Sequence, residues 1–222
     1  MVEVTEQLIN RLVADIRPVR RLRPPLQRAA LWLVGVAVLA AAAIGLFADL
    51  GVFVTRAHDP KLELELAATL LAGVTAVVAA SYLSLPDRSP AWAALPLPFL
   101  ALWLASSGYA CWRHWLVIGP DSWAFGDSAT CFRFILGVSL PLGASLFLML
   151  RRARPLAPLR VAAVGGLGVA AIAAFLLQFF HPFDVTFMDL GVHLAAVALV
   201  IGVASVLGRI ERWRTALPRI TT

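Results

Sequence analysis

Apolar residues along the chain gather into six runs of about twenty residues with few charges inside: roughly Ala29–Phe47, Leu64–Leu83, Ala91–Trp112, Phe132–Leu150, Leu159–Phe180 and Val185–Leu207. A helix rises ~1.5 Å per residue, so runs of this length match the ~30 Å hydrocarbon core of a bilayer. The pattern predicts an all-α integral membrane protein with six transmembrane helices. Pro86, Pro90, Pro120, Pro155, Pro158 and Pro182 fall at or just beyond the ends of the runs, where proline starts or stops a helix. Pro96, Pro98 and Pro141 fall inside runs and predict kinks, tolerated where neighbouring helices satisfy the freed backbone groups.

Ahead of the first run the pattern changes. In "EVTEQLINRLVADIR", Leu8, Leu12 and Ile16 recur every four residues with Ile9 and Val13 beside them, while Glu6, Asn10, Arg11 and Asp15 take the other side. This predicts a short amphipathic helix. It ends at Arg17, because proline at 18 disfavours helical geometry in the residue before it. Such a helix is marginal alone and needs a surface to cover its apolar face. Interfacial helices usually carry basic residues on their polar side. Here Glu3, Glu6 and Asp15 stand beside Arg11 and Arg17, which favours a protein groove over anionic lipid. Arg17, Arg20, Arg21, Arg23 and Arg28, punctuated by Pro18, Pro24 and Pro25, follow as a stiff basic collar. The division is a segment 1–28, a six-helix domain 29–208 and a tail 209–222.

Charge orients this plan. With the N-terminus inside, 15 of the 19 basic residues fall on the inner side and 8 of the 13 acids on the outer. That is a strong positive-inside bias, and it predicts both termini in the cytoplasm. The collar then lies at the negatively charged inner leaflet. The net charge of +6 is accordingly a sign of topology rather than of direct nucleic-acid binding. Tyr109, Trp112 and Trp115 at one level, and Trp32, Tyr82, Trp92 and Trp213 at the other, fit two interfacial aromatic belts. The first apolar run follows a 28-residue polar segment and is long enough to span, so a cleaved leader is not expected.

Chemistry-bearing residues are sparse. Asp49, Glu63, Glu65, Arg133, Asp184, Asp189 and His193 all read as lying within about two turns of the outer interface, as rim charges that reach water. None reads as a midplane charge of the kind a carrier or pump uses. Phosphate-cradling loops, nucleophile elbows and paired metal motifs do not occur, so neither enzymatic activity nor a cofactor is expected. His58, His114, His181 and His193 read as loop and interface histidines. Cys111 ends the third run and Cys131 opens the fourth, both on the outer side. Adjacent helix ends there could approach closely enough for a disulfide, or the two thiols could fill space as small apolar groups. Gly166, Ala170 and Ala174 form a small-residue stripe that predicts close helix contact.

The stretch "LINRLVADIRPVRRLRPPLQRA" resembles the N-terminus of the negative regulator of sigma F family of six-helix bacterial membrane proteins. "CFRFILGVSLPLGASLFLMLRRARPLAPLRVAAVGGLGVAAIAAFLLQFFHP" is similar to that family's fourth and fifth spans, and "FFHPFDVTFMDLGVHL" to its last outer loop and sixth span. The resemblance covers nearly the whole chain. It implies an anti-sigma factor of the bacterial inner membrane that sequesters a cytoplasmic extracytoplasmic-function sigma factor and releases it on an envelope, oxidant or metal stress signal. Leu8, Leu12 and Ile16, with Arg11, Arg17, Arg20, Arg21 and Arg23, are then the partner-binding candidates, and membrane lipid is the second partner. Cys131 takes the place of a family cysteine and is a sensing candidate, with Cys111 and His181. The family usually has a second cysteine after the histidine at the end of the fifth span, whereas Pro182 follows His181 directly here. Either Cys111 substitutes for it or the thiol pair is lost. From a different class, a small membrane redox or haem carrier using the outer histidines and cysteines would also suit these residues.

Reporter fusions at Thr222 and in the loop around Asp121 are expected to give opposite sidedness, Thr222 inside. The same side for both would rule out six spans.

Overall fold

The structure, a computed structural model, describes residues 2–14, 22–119, 125–180 and 187–216. Among these residues the chain is helical throughout: α1 (Val2–Ala14), α2 (Pro25–Phe47), α3 (Leu50–Arg56), α4 (Pro60–Leu83), a 3-10 helix (Pro90–Ala94), α5 (Leu97–Ile118), α6 (Phe125–Arg151), α7 (Pro158–Leu177) and α8 (Phe187–Ala216). Six helices are long and apolar enough to cross a membrane: α2, α4, α5 with the 3-10 turn before it, α6, α7 and α8. They correspond to the six apolar runs.

The local chemistry explains where the helices depart from those runs. Pro96 and Pro98 do not kink a continuous third span. Pro96 stands at the N-cap of α5 and Pro98 in its first turn, where the missing N–H has no helical partner to lose. The residues before them form the separate 3-10 helix, begun by Ser89, whose Oγ accepts from the Ala91 N–H at 3.2 Å. Pro141, by contrast, lies inside α6 as expected. The short helix α3, absent from the sequence reading, starts where the Asp49 carboxylate accepts from the Val52 N–H at 3.1 Å. Asp59 likewise caps α4, accepting from the Lys61 N–H at 3.0 Å. α8 continues to Ala216, into the segment read as a tail, because neither glycine nor proline interrupts Arg209–Ala216. α1 ends at Ala14 within the described residues; Ile16, Arg17, Arg20 and Arg21 lie outside them.

The centre of the bundle is α7. It packs against α4, α6 and α8, and α4 in turn carries α2, α5 and the 3-10 helix. Two thirds of the α7 span, 67%, is buried against 6% for α2. Close approach depends on residues without side chains to hold the helices apart. A methyl built on Gly168 would lie 3.0 Å from Val77 Cγ2, and one on Gly73 only 2.7 Å from Ile172 Cγ1, so α4 and α7 meet almost backbone to backbone. On the other flank a methyl on Gly166 would stand 2.9 Å from Ala204 Cβ, and one on Gly208 2.7 Å from the Pro158 carbonyl oxygen. The stripe Gly166, Ala170 and Ala174 is therefore a contact surface, as expected; both alanines are buried.

α2 lies at the periphery. Ala29 and Val36 reach the core, and Trp32, Leu33, Ala40 and Ile44 pack on it. Three long-range hydrogen bonds fasten its first turns. The Arg28 guanidinium donates to Ser84 Oγ on the end of α4 at 3.4 Å and to the Met149 carbonyl on α6 at 3.3 Å. Trp32 Nε1 donates to Ser145 Oγ at 3.0 Å. Tyr82 and Trp92 stack nearby, with ring centroids 4.1 Å apart and planes within 4°, holding the 3-10 helix to α4.

Gly208→Ala is expected to destabilise the bundle by about 1–3 kcal/mol, the usual range for overpacking. Gly137→Ala, where an added methyl would meet nothing within 4 Å, should be neutral or stabilising by up to ~1 kcal/mol. Melting curves of both variants in one detergent test this. Coincident curves would show that the Gly208 contact does not constrain the fold.

Candidate functional site

Among the described residues, the partner-binding candidates and the sensing candidates occupy different parts of the molecule. α1 carries Leu8, Leu12 and Arg11 of the first group. Leu8 and Leu12 are 57% and 60% exposed, and Ile9 and Val13 beside them are similarly open. Every described side chain from Val4 to Ala14 is exposed, Arg11 included. Successive residues turn by about 100°. Leu8, Ile9, Leu12 and Val13 therefore share one face, with Arg11 at its margin. Among the described residues nothing covers this face. Arg23, beyond the undescribed stretch, is exposed just before α2.

Of the second group, Cys111 lies where α4 and α8 begin and α5 ends. Here the sequence reading of rim charges is corrected. Glu65, Asp189 and His193 are 6%, 6% and 7% exposed, and so are enclosed between helices rather than turned to water. The Glu65 carboxylate on α4 accepts a hydrogen bond from Ser107 on α5. His193 Nδ1 lies 2.6 Å from the Asp189 carbonyl oxygen one turn earlier in α8. Cys111, one turn beyond Ser107, is buried within electrostatic range of both Glu65 and Asp189. The result is a polar junction contributed by three helices. Asp49, Glu63 and Arg133 do reach the surface as expected. Asp184 lies outside the described residues, as does His181, so the sensing candidate His181 has no described position.

Cys131 is also fully buried, but in a different setting: Ile135, Ala173, Leu177 and Ala196 surround it. Cys111 and Cys131 are not joined as a disulfide. The reason lies in the helix neighbours. α5 packs on α4 and α8, whereas α6 packs on α7 and α8, so the spans bearing the two thiols are not principal partners of each other. Arg133, two residues from Cys131, is exposed and donates through Nε to the Ala129 carbonyl at 3.2 Å. It faces away from the thiol. Among the described residues no group of three or more His, Cys, Asp or Glu side chains is placed to hold a metal ion.

Sequence reasoning did not single out Ser107, nor the burial of Glu65 and Asp189. One signal was present: Glu65 is the second residue of the second apolar run and is followed by twenty-one residues without another charge.

Comparison with known proteins gives one match. A family model described as negative regulator of sigma F covers residues 12–213, which is all but the first eleven and last nine residues of the chain. Neither the curated proteins nor the solved structures contain a match.

Burial of both thiols sets their expected reactivity. A maleimide should label Cys111 and Cys131 roughly tenfold or more slowly in the folded protein than after unfolding in dodecyl sulfate, since reaction must wait for local opening. Mass spectrometry of timed samples reads this. Rapid labelling of either thiol in the folded protein would contradict its placement in the interior.

Proposed function

The chain belongs to the negative regulator of sigma F family, and on that footing we propose that it is a membrane-bound anti-sigma factor whose N-terminal helix captures a cytoplasmic sigma factor. The observation that carries this reading is the uncovered apolar face of α1. Leu8, Ile9, Leu12 and Val13 make a helix-in-groove anchor set at the spacing that such recognition uses. The mixed charges around that stripe suit a protein groove.

Six apolar helices behind α1 hold the captured partner at the bacterial inner membrane, with both termini on the cytoplasmic side as the arginine distribution indicates. Sequestration acts by mass action: a tight binder lowers the free sigma factor available to polymerase. The partner is read as an extracytoplasmic-function sigma factor, and the stimulus as an envelope, oxidant or metal stress entering from the outer side. The buried junction of Glu65, Ser107, Cys111 and Asp189 supports that entry point, because a change of charge or bonding there must be answered by α4, α5 and α8 together. A tenfold loss of sigma affinity requires only ~1.4 kcal/mol, within reach of one altered buried contact.

Leu12→Asp is expected to place an unpaired charge in the sigma groove and weaken binding by about a hundredfold, ~2.8 kcal/mol. The sigma regulon would then be expressed without any stimulus, while membrane fractionation shows the variant at its normal level. Full repression by a normally inserted L12D protein would transfer the α1 face to lipid and defeat the proposal.

A further inference from the structure

On the face of the bundle where α2 begins and α6 ends, the surface is hollowed into a pocket of about 920 Å³. Its lining is divided chemically. Arg23, Arg28 and Arg152 supply three guanidinium groups, and Leu22, Leu31, Trp32 and Met149 supply an apolar wall. No carboxylate is among the described lining residues.

Arg28 is the informative member. It is only 6% exposed. Its two described hydrogen bonds, to Ser84 Oγ at 3.4 Å and the Met149 carbonyl at 3.3 Å, are long and go to neutral oxygens. Neither oxygen carries a formal charge: Ser84 Oγ also donates to the Ser81 carbonyl at 2.7 Å, and the Met149 carbonyl belongs to the last turn of α6. A guanidinium has five N–H donors and a charge that is never discharged in a protein. Burying it without an anion is costly, and a bound anion relieves that cost. The start of α2 adds to the demand. Its N-cap is Pro24, which makes no side-chain hydrogen bond, and its first turn holds no acid, so the positive end of the helix dipole is uncompensated beside the arginines.

We propose that this pocket is a binding site for an anionic phospholipid, its phosphodiester held by Arg23, Arg28 and Arg152 and its upper acyl chain lying along Leu31, Trp32 and Met149. The guanidinium fork matches phosphate oxygens in pairs. A free phosphate would use the cations and leave the apolar wall bare, whereas a phospholipid satisfies both halves. The level is also right: Trp32 belongs to the aromatic positions that mark a headgroup boundary, and basic pockets between helix ends on the cytoplasmic side suit anionic headgroups. The lipid would bridge the collar, α2 and α6, so the segment leading to α1 would be tied to the bundle through a ligand. This inference rests on the reading that the six helices lie in a bilayer. It does not require that α1 bind a sigma factor, although Arg23 is shared with the partner-binding candidates.

The test uses the full-length protein in a neutral detergent, titrated separately with dioleoyl phosphatidylglycerol, dioleoyl phosphatidylcholine, inorganic phosphate and a glutamate-rich peptide. Phosphatidylglycerol is expected to raise the melting temperature saturably by roughly 5 °C, and the other three to do little. Arg28→Gln serves as one variant. Since a buried change can impair folding, the double variant R23Q/R152Q, altered only at exposed residues, is the decisive one. It should keep the lipid-free melting temperature and need about fivefold more phosphatidylglycerol for half the effect. An undiminished response in R23Q/R152Q, or equal stabilisation by phosphatidylcholine, would overturn the site. So would stabilisation by phosphate alone, which marks a small-anion pocket, or by the peptide alone, which marks a protein contact. Any of these results in a protein that still requires detergent for solubility would defeat the lipid site and leave the membrane reading standing.

Discussion

The backbone contact of α7 with its neighbours is the constraint around which this bundle is organised. In apolar surroundings helices gain little from hiding apolar surface, and association depends on close van der Waals contact. Glycines supply that contact on both flanks of α7: Gly73 and Gly168 toward α4, Gly166 and Gly208 toward α8. Helices this close leave no volume between them for large or charged groups. Most of the polar residues that the fold does bury lie toward its two ends, Ser139 in the middle of α6 being an exception. Glu65, Ser107, Asp189 and His193 collect at one end, and Arg28, Ser81 and Ser84 at the other.

α4 belongs to both collections. Glu65 is near its start and Ser84 is its C-cap, nineteen residues away. At ~1.5 Å per residue the separation is about 28 Å. Between these points α4 is pressed against α7 through Gly73 and Val77. One continuous helix thus joins Glu65 in the buried junction to Ser84, which accepts from Arg28 in the first turn of α2.

The sequence made depth legible but not orientation about the helix axis. Length and hydropathy located all six long helices, because crossing a hydrocarbon layer fixes how many apolar residues must be consecutive. Those same runs are apolar all round, so they carry little periodic signal to say which face turns inward. Glu65, Asp189 and His193 were accordingly placed at the correct ends of their helices but assigned to water, when they point between helices. Cys111 and Cys131 were placed at one level as potential partners, though their helices flank α8. The proline pair at 96 and 98 misled for a related reason: hydropathy does not distinguish a kinked helix from a helix start. α1 is the contrast. It is polar on one side, and its facing could be read from the spacing of Leu8 and Leu12 alone.

The fastening of α2 has a consequence for biosynthesis. Arg28 and Met149 are 121 residues apart, and Trp32 and Ser145 are 113 apart. At roughly 5–20 residues per second, translation leaves an interval of about 6–24 s between synthesis of α2 and arrival of the α6 residues that secure it. For most of that interval α1 is outside the ribosome, so a nascent chain offers its apolar face before the bundle behind it is complete. A newly made chain would thus expose the apolar face of α1 before α2 is fastened to the rest of the bundle.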